Sequence, residues 1–199
     1  PTREFFDPVR FLSNPSSGKM GYAIAEEAAK RGAKVTLISG PTSLVPSSKL
    51  KFISVTTAVE MHRAVIREAK RSQVVIMTAA VSDYRPVSYS RKKLKKGKKT
   101  LALRLVATPD ILKELGKKKK PGQLLIGFAA ETDRVLKNAM RKLRAKNLDL
   151  IVANKVGKNL VFDKDENQVF VLSAKKTVRL GRMPKKKIAS KLFDIIKGR

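Results

Sequence analysis

Residues Phe11–Gly40, FLSNPSSGKMGYAIAEEAAKRGAKVTLISG, decide how the rest of the chain is read. The stretch opens with a polar, glycine-bearing turn and closes in an apolar strand. Within 18–31, Met20, Ala23, Ile24 and Ala28 recur at the spacing of one helix face. Ser16 or Ser17 is placed to cap that helix, and Gly32 to stop it. Residues 33–39, AKVTLIS, then read as a continuous apolar strand. A helix running into a buried strand is the pattern of an α/β protein.

The alternation continues outward from this stretch. KFISVTT (51–57) is a second strand, and Thr57 leads into a helix through Arg71. QVVIMTAA (73–80) has no polar alternation, as expected where both sheet faces are covered. TLALRLVA (100–107) does alternate, and Thr108-Pro109-Asp110 caps a short helix with proline at its first turn. QLLIGFAA (123–130) and LDLIVAN (148–154) are buried strands on either side of a basic helix at about 132–146. Residues 159–173 read as a hairpin turning at 163–167, TVRLGRM adds a strand, and Pro184 opens a terminal helix over 184–197. This order predicts one α/β domain over 1–199. Its core is a doubly wound, mostly parallel Rossmann-like sheet with helices on both faces and a small antiparallel addition. The long, lysine-rich connection at 81–99 is predicted to be a lid or binding loop.

Composition removes several classes of chemistry. The 199 residues are 42% hydrophobic, enough for a real core. There is no cysteine, which excludes disulfides and thiolate metal sites. The single histidine, His62, excludes a histidine metal cluster and leaves a Ser–His triad without support. No apolar run approaches 18 residues and PTREFFDPVR does not resemble a signal peptide, so the expectation is a soluble cytoplasmic protein without a membrane partner. The net charge of +29 is concentrated at 91–99, 117–120 and 185–187. Runs of this kind are ordinarily solvated faces, and they predict non-specific association with nucleic acid at low salt. A nucleic-acid-binding module on a Rossmann-like fold is therefore the alternative function. Aromatic residues are not interleaved with the basic runs, as base stacking would favour.

Gly18-Lys19 invites comparison with phosphate-binding loops. The P-loop pattern fails twice, with Ser13 at the first glycine position and Met20 after the lysine. The dinucleotide fingerprint fails because Ser16 stands at its first glycine. A nicotinamide dehydrogenase has one further pointer, the Tyr89–Lys93 spacing, but that pair falls in a predicted loop. What survives is the anion-binding physics of a helix start: open backbone N–H groups, room for close approach at Gly18 and Gly21, and donors on Ser16, Ser17 and Lys19. Ligands of such folds bind beyond the carboxyl ends of parallel strands. Two small-residue tracts stand there, AAVSDYR with Asp83 and GFAAET with Phe128, and Asn154 ends a third strand. With a basic lid, these features favour a nucleoside triphosphate.

DPVRFLSNPSSGKMGYAIAEEAAKRGAKVTLISGPTSL, TAAVSDYRP, KKLKK, GFAAET and KNLDLIVAN together resemble the bacterial phosphopantothenoylcysteine synthetase family, in order and over nearly the whole chain. The resemblance implies a ligase of coenzyme A biosynthesis that joins 4'-phosphopantothenate to L-cysteine with CTP and Mg²⁺. It implies a carboxylate attack on the α-phosphate, an acyl-cytidylate, and displacement of CMP by the cysteine amine. It assigns the second step to Asn14 and acyl-cytidylate formation to Lys93 on the lid. Nucleotide contacts fall on Met77, Thr78, Ala79, Asp83, Pro109, Asp110, Ile111, Leu112, Phe128, Lys142 and Lys146. Phosphopantothenate and phosphate contacts fall on Arg10, Asn14, Ser16, Ser17, Gly18, Lys19 and Ala80. The resemblance further implies a homodimer, an upstream flavin-dependent decarboxylase domain, and a strand before PTRE that this sequence lacks. Lys92 and Lys95 flank Lys93 and compete for its assignment.

Overall fold

A computed structural model describes residues 1–97, 100–157 and 165–198. The chain begins with a short pair, β1 (Arg3–Phe5) and β2 (Phe11–Ser13), and enters α1 (Lys19–Lys30). There follow β3 (Thr36–Ser39), β4 (Lys51–Ser54), α2 (Ala58–Ala69), β5 (Val74–Met77) and β6 (Tyr84–Pro86). The middle of the chain holds β7 (Leu105–Ala107), α3 (Ile111–Lys118), β8 (Leu124–Glu131), α4 (Val135–Ala145) and β9 (Leu150–Lys155). β10 (Glu166–Leu172), β11 (Thr177–Pro184) and α5 (Lys185–Lys197) complete it.

Local chemistry sets the helix starts. Thr57 and Glu60 form a reciprocal capping box on α2: the Thr57 hydroxyl accepts from Glu60 N–H at 3.2 Å, and Glu60 accepts from Thr57 N–H at 3.1 Å. Pro184 opens α5 as expected, but two other starts differ from the expected ones. α1 has no side-chain cap; Gly18 holds the N-cap position at φ +77°, a left-handed conformation that glycine adopts without strain. Asp110, not Thr108, caps α3, accepting from Lys113 N–H at 3.0 Å. The Thr108 hydroxyl is committed elsewhere, donating to Ser82 O at 2.6 Å.

The central sheet has five strands in the order β11-β10-β9-β8-β5. β5, β8 and β9 run parallel, with Val75 opposite Leu125 and Phe128 opposite Val152. β9, β10 and β11 are antiparallel. The sheet is therefore mixed, and its antiparallel part is half of it rather than a small addition. Residues 166–172 pair with 177–184 through a turn at 173–176, one strand later than the hairpin read from sequence. The expected first arm of that hairpin lies largely outside the described residues. β3 and β4 form a separate parallel pair, and two short antiparallel pairs, β1–β2 and β6–β7, were not legible in sequence.

Strand alternation sends side chains to two cores. Leu125, Ala129, Ile151, Ala153 and Leu172 face α2, α3 and α4 through Met61, Leu115 and Leu143. Ile126, Leu150, Val152, Val169 and Val171 face α1 and α5 through Ile24, Ile188 and Leu192. Helices thus cover both faces, which is why β8 and β9 read as unbroken apolar runs. α2 and α3 are also tied by a polar link. His62 Nε2 lies 2.7 Å from Glu114, whose other oxygen accepts from Lys118 at 2.7 Å. Lys118 and then His62 pull the Glu114 carboxyl down to about 2. A lowered carboxylate pKa adds stability above the ordinary value, and that stability drains away as pH falls through the folded one. Glu114→Gln is expected to melt below wild type at neutral pH. The two melting curves should converge between about pH 4.5 and about pH 2, a trend a pH series of thermal melts would check.

At the chain start, Thr2 N–H donates to Ala80 O at 3.2 Å and Arg3 N–H to Thr56 O at 2.8 Å. Gly40 packs directly against the Pro1 carbonyl. Pro1 and Thr2 therefore sit by the carboxyl ends of β3 and β5. Among the described residues no helix is long and apolar enough to cross a membrane.

Candidate active site

The carboxyl ends of β3, β5, β8 and β9 open into a cleft of about 590 Å³. The turn of residues 14–19 forms one wall, and α1 begins against it. Of the residues expected to handle phosphate, Asn14, Ser16, Ser17, Gly18, Lys19 and Ala80 line this cleft. So do the expected nucleotide contacts Met77, Thr78, Ala79, Asp83, Pro109, Asp110, Ile111, Leu112, Phe128, Lys142 and Lys146. Two expected residues do not: Arg10, in the turn between β1 and β2, and Lys93, on the basic 90–95 segment, lie outside the lining.

Each wall has a local cause. Asn14 Nδ2 donates to Val81 O at 3.1 Å, tying the polar turn to the segment after β5. Gly21, one turn into α1, sits against the end of that strand; a Cβ there would lie 2.6 Å from Thr78 Oγ1. Gly21→Ala therefore forces α1 and residues 78–80 apart. We expect a loss of about 1–3 kcal/mol, the usual range for overpacking. Thr78→Ala removes the obstructing oxygen, so the double variant should recover most of the loss in denaturant titrations.

Lys142 and Lys146 close the opposite side, as their four-residue spacing on one helix face implied. Each is held by a carboxylate. Lys142 Nζ lies 2.7 Å from Glu131 Oε1, and Lys146 Nζ lies 3.0 Å from Asp110. Asn138 steadies the far oxygen of Glu131 at 3.2 Å. At the mouth, Lys19 Nζ meets Asp165 at 2.7 Å, and its hydrogen bond holds that carboxyl below the usual range. These are cations presented by salt bridges that a polyphosphate can replace, since phosphate oxygens make the same charge-assisted hydrogen bonds to ammonium groups as carboxylates do.

Sequence reasoning missed part of the lining. Tyr22, Ser39, Gly40, Asn167 and Lys185 also face the cleft, beside Asn154, which the sequence had already singled out. Asn154 carried a signal, because it ends a parallel strand. Asn167 and Lys185 carried none: they reach the cleft from β10 and α5, whose placement depends on the antiparallel half of the sheet. The predicted lid at 81–99 is also more ordered than a loop. Residues 84–86 pair with 105–107, because the alternating strand expected over 100–107 contracts to its last three residues and needs a partner. Positions 98 and 99 of that connection fall outside the described residues. Among the described residues, no group of three acidic or histidine side chains could hold a metal.

A family model for the C-terminal domain of the DNA/pantothenate metabolism flavoprotein matches residues 1–198. The chain belongs to this family. The coenzyme A biosynthesis bifunctional protein CoaBC of Haemophilus influenzae is 43% identical over 196 residues, which cover 98% of this chain and 49% of that protein. The protein of the same name from Bacillus subtilis is 54% identical over 160 residues, covering 80% of this chain and 39% of the relative. The flavoprotein domain thus spans half or less of the length of these curated relatives. A crystal structure of the C-terminal domain of a coenzyme A biosynthesis bifunctional protein CoaBC superimposes with a TM-score of 0.82 at 43% identity. The match covers 98% of this chain and 89% of that one.

Proposed function

We propose that this flavoprotein C-terminal domain is a cytoplasmic phosphopantothenate–cysteine ligase that uses CTP. One observation carries the proposal: a single cleft gathers the 14–19 turn, the small-residue ends of β5 and β8, and the Lys142–Lys146 pair. An anion-binding turn, a flat apolar slot and paired cations are what a nucleoside triphosphate and a phosphorylated acid together require.

The proposed reaction follows from that arrangement. Met77, Thr78, Ala79 and Phe128 provide a narrow wall for the cytosine ring, with Asp83 at its edge. Lys142 and Lys146 leave Glu131 and Asp110 to neutralise the triphosphate. The donors of Ser16, Ser17, Gly18 and Lys19 then hold the second anion, the phosphate of phosphopantothenate. Holding both anions in line converts a repulsive encounter into an intramolecular one. The phosphopantothenate carboxylate oxygen bonds to the α-phosphorus, and the bond to pyrophosphate breaks. The cysteine amine next attacks the acyl carbon; CMP leaves and the amine loses a proton. Asn14, anchored through Val81, is placed to donate to the oxyanion of this second step. Mg²⁺ would arrive with the triphosphate and offset its charge, and Asp83 and Asp110 would supply oxygen donors; a magnesium site of this kind needs only one or two carboxylates beside the phosphates.

Two partner assignments accompany the proposal. The exposed apolar side chains Tyr84, Val87, Leu105 and Val106 on and beside the β6–β7 pair support a homodimer through that pair. The half-length match to proteins named bifunctional supports a second catalytic domain, a flavin-dependent decarboxylase, on the same polypeptide.

The test omits cysteine. Protein mixed with 4'-phosphopantothenate, Mg²⁺ and CTP should release pyrophosphate and yield an acyl-cytidylate detectable by mass spectrometry. Added cysteine should then release CMP. Reaction with ATP but not CTP would overturn the nucleotide assignment alone. Silence with both nucleotides would overturn the ligase.

A further inference from the structure

The turn joining β1 to β2, FDPVR at 6–10, contains a carboxylate with no exposed surface, Asp7. Aspartate in a short turn is ordinarily solvated, and burying its charge is unfavourable unless every lone pair is used. Here they are used, one of them by a backbone N–H far along the chain. Asp7 Oδ1 accepts from Val9 N–H and Arg10 N–H, both at 2.8 Å, which closes the turn. Asp7 Oδ2 faces away from the turn. It accepts from Leu94 N–H at 3.2 Å and lies 3.4 Å from Arg10 Nε.

The partner segment is the basic arm that carries Lys93. Arg10 Nη2 donates to Leu94 O, so the peptide group of Leu94 is gripped on both sides. Ser90 N–H donates to Phe6 O at 3.0 Å, and the Ser90 hydroxyl donates to Lys92 O at 2.6 Å. Lys93 is thus exposed between two residues whose backbones are fixed. Burial pushes the Asp7 carboxyl up, but the N–H groups of Val9, Arg10 and Leu94 outweigh it and hold the group below its ordinary range. It stays an anion, as the latch needs.

We propose that Asp7 is a positioning residue for Lys93: its buried carboxylate latches the root of the 90–95 segment and fixes where the Lys93 ammonium can reach. The proposal rests on the ligase reading for the role of Lys93, but the latch itself does not. Without the latch, a lysine-rich segment would sample many positions, and few would place the ammonium at the reacting phosphate. Misplacement of about 1 Å can cost about 100-fold in rate.

Asp7→Asn separates the two halves of the group. The amide oxygen can still accept from Val9 and Arg10, while its NH₂ meets the Leu94 N–H and the Arg10 guanidinium as a donor facing donors. Two readouts follow. Trypsin cleavage after Lys92, Lys93, Lys95 and Lys96 should accelerate about tenfold or more, with cleavage in α5 unchanged as the internal control. The rate of acyl-cytidylate formation should fall about 10–100-fold at unchanged KM for CTP, and Asp7→Asn should add little further loss to Lys93→Gln. Unchanged cleavage at 92–96, or losses that multiply in the double variant, would overturn the proposal. Should Asp7→Asn fail to fold, Asp7→Ser carries both readouts, because its hydroxyl can serve the local turn and is too short to reach Leu94. If cleavage rises while the wild type forms no acyl-cytidylate, the latch stands and the ligase reading beneath it fails.

Discussion

Lys93→Gln is expected to lower pyrophosphate release in the cysteine-free reaction by about 10²–10³-fold, the range seen when one preorganised charge-stabilising group is lost. Glutamine keeps a donor on the same segment but carries no charge. The charge matters because the α-phosphorus gains a fifth oxygen while pyrophosphate departs, and negative charge builds on both. The structure adds a constraint that the motif alone could not. Lys93 is outside the lining of the nucleotide cleft, whereas Lys142 and Lys146 are within it. Ground-state affinity for CTP should therefore change little, and the loss should fall on the chemical step. Calorimetric titration of CTP beside a pyrophosphate burst separates the two. A normal burst would reassign the role to Lys92 or Lys95, which share the exposed face of the segment.

Asn14→Asp should stop the reaction one step later. Acyl-cytidylate should form and persist, and CMP release on adding cysteine should fall about 10²–10³-fold. Asn14 is exposed, so its loss costs little packing. Its amide hydrogen bond to Val81 O is what aims the side chain, and a carboxylate cannot make that bond. Aspartate instead sets an anion against a carbonyl oxygen and against the oxyanion it should stabilise. Quenched mixtures analysed by mass spectrometry distinguish a stalled intermediate from a general loss of activity. Normal turnover in this variant would remove Asn14 from the mechanism.

The two steps draw on different layers of the protein. The first needs cations, and the chain carries them in excess, with a net charge of +29. Most are exposed and serve no site. Three of those at the cleft each have a carboxylate within 3.0 Å: Glu131 for Lys142, Asp110 for Lys146 and Asp165 for Lys19. The proposed second step needs one neutral donor held still, and the Asn14 amide is tied to Val81 O.

Much of this was legible in the residues. The unbroken apolar runs at 123–130 and 148–154 announced strands covered on both faces, and β8 and β9 are those strands. Helical spacing from Met20 to Ala28 gave α1, and Thr57 gave the start of α2. The site was legible for a related reason. Small residues directly after a parallel strand are where a ligand must approach the backbone, so the tracts at 79–85 and 127–132 could be singled out before any coordinates, while the individual contacts were implied only by the family resemblance.

What sequence could not supply was pairing between distant segments. Local propensity is the same for a parallel and an antiparallel neighbour, so the direction of β10 and β11 was settled only by which strand edges met. The same holds for Asn167 and Lys185, drawn to the cleft by that half of the sheet, and for β6 and β7, whose three-residue strands exist only as each other's partners. Asp7 is the sharpest case. Its turn is written locally in DPVR, but its second oxygen is satisfied 87 positions along the chain. The residues by themselves determined the helices and the long buried strands, because those depend on spacing and capping within a few residues. Tertiary structure alone decided which carboxylate guards which lysine and which turn holds the Lys93 arm, because a hydrogen bond across that separation exists only once the intervening core has folded.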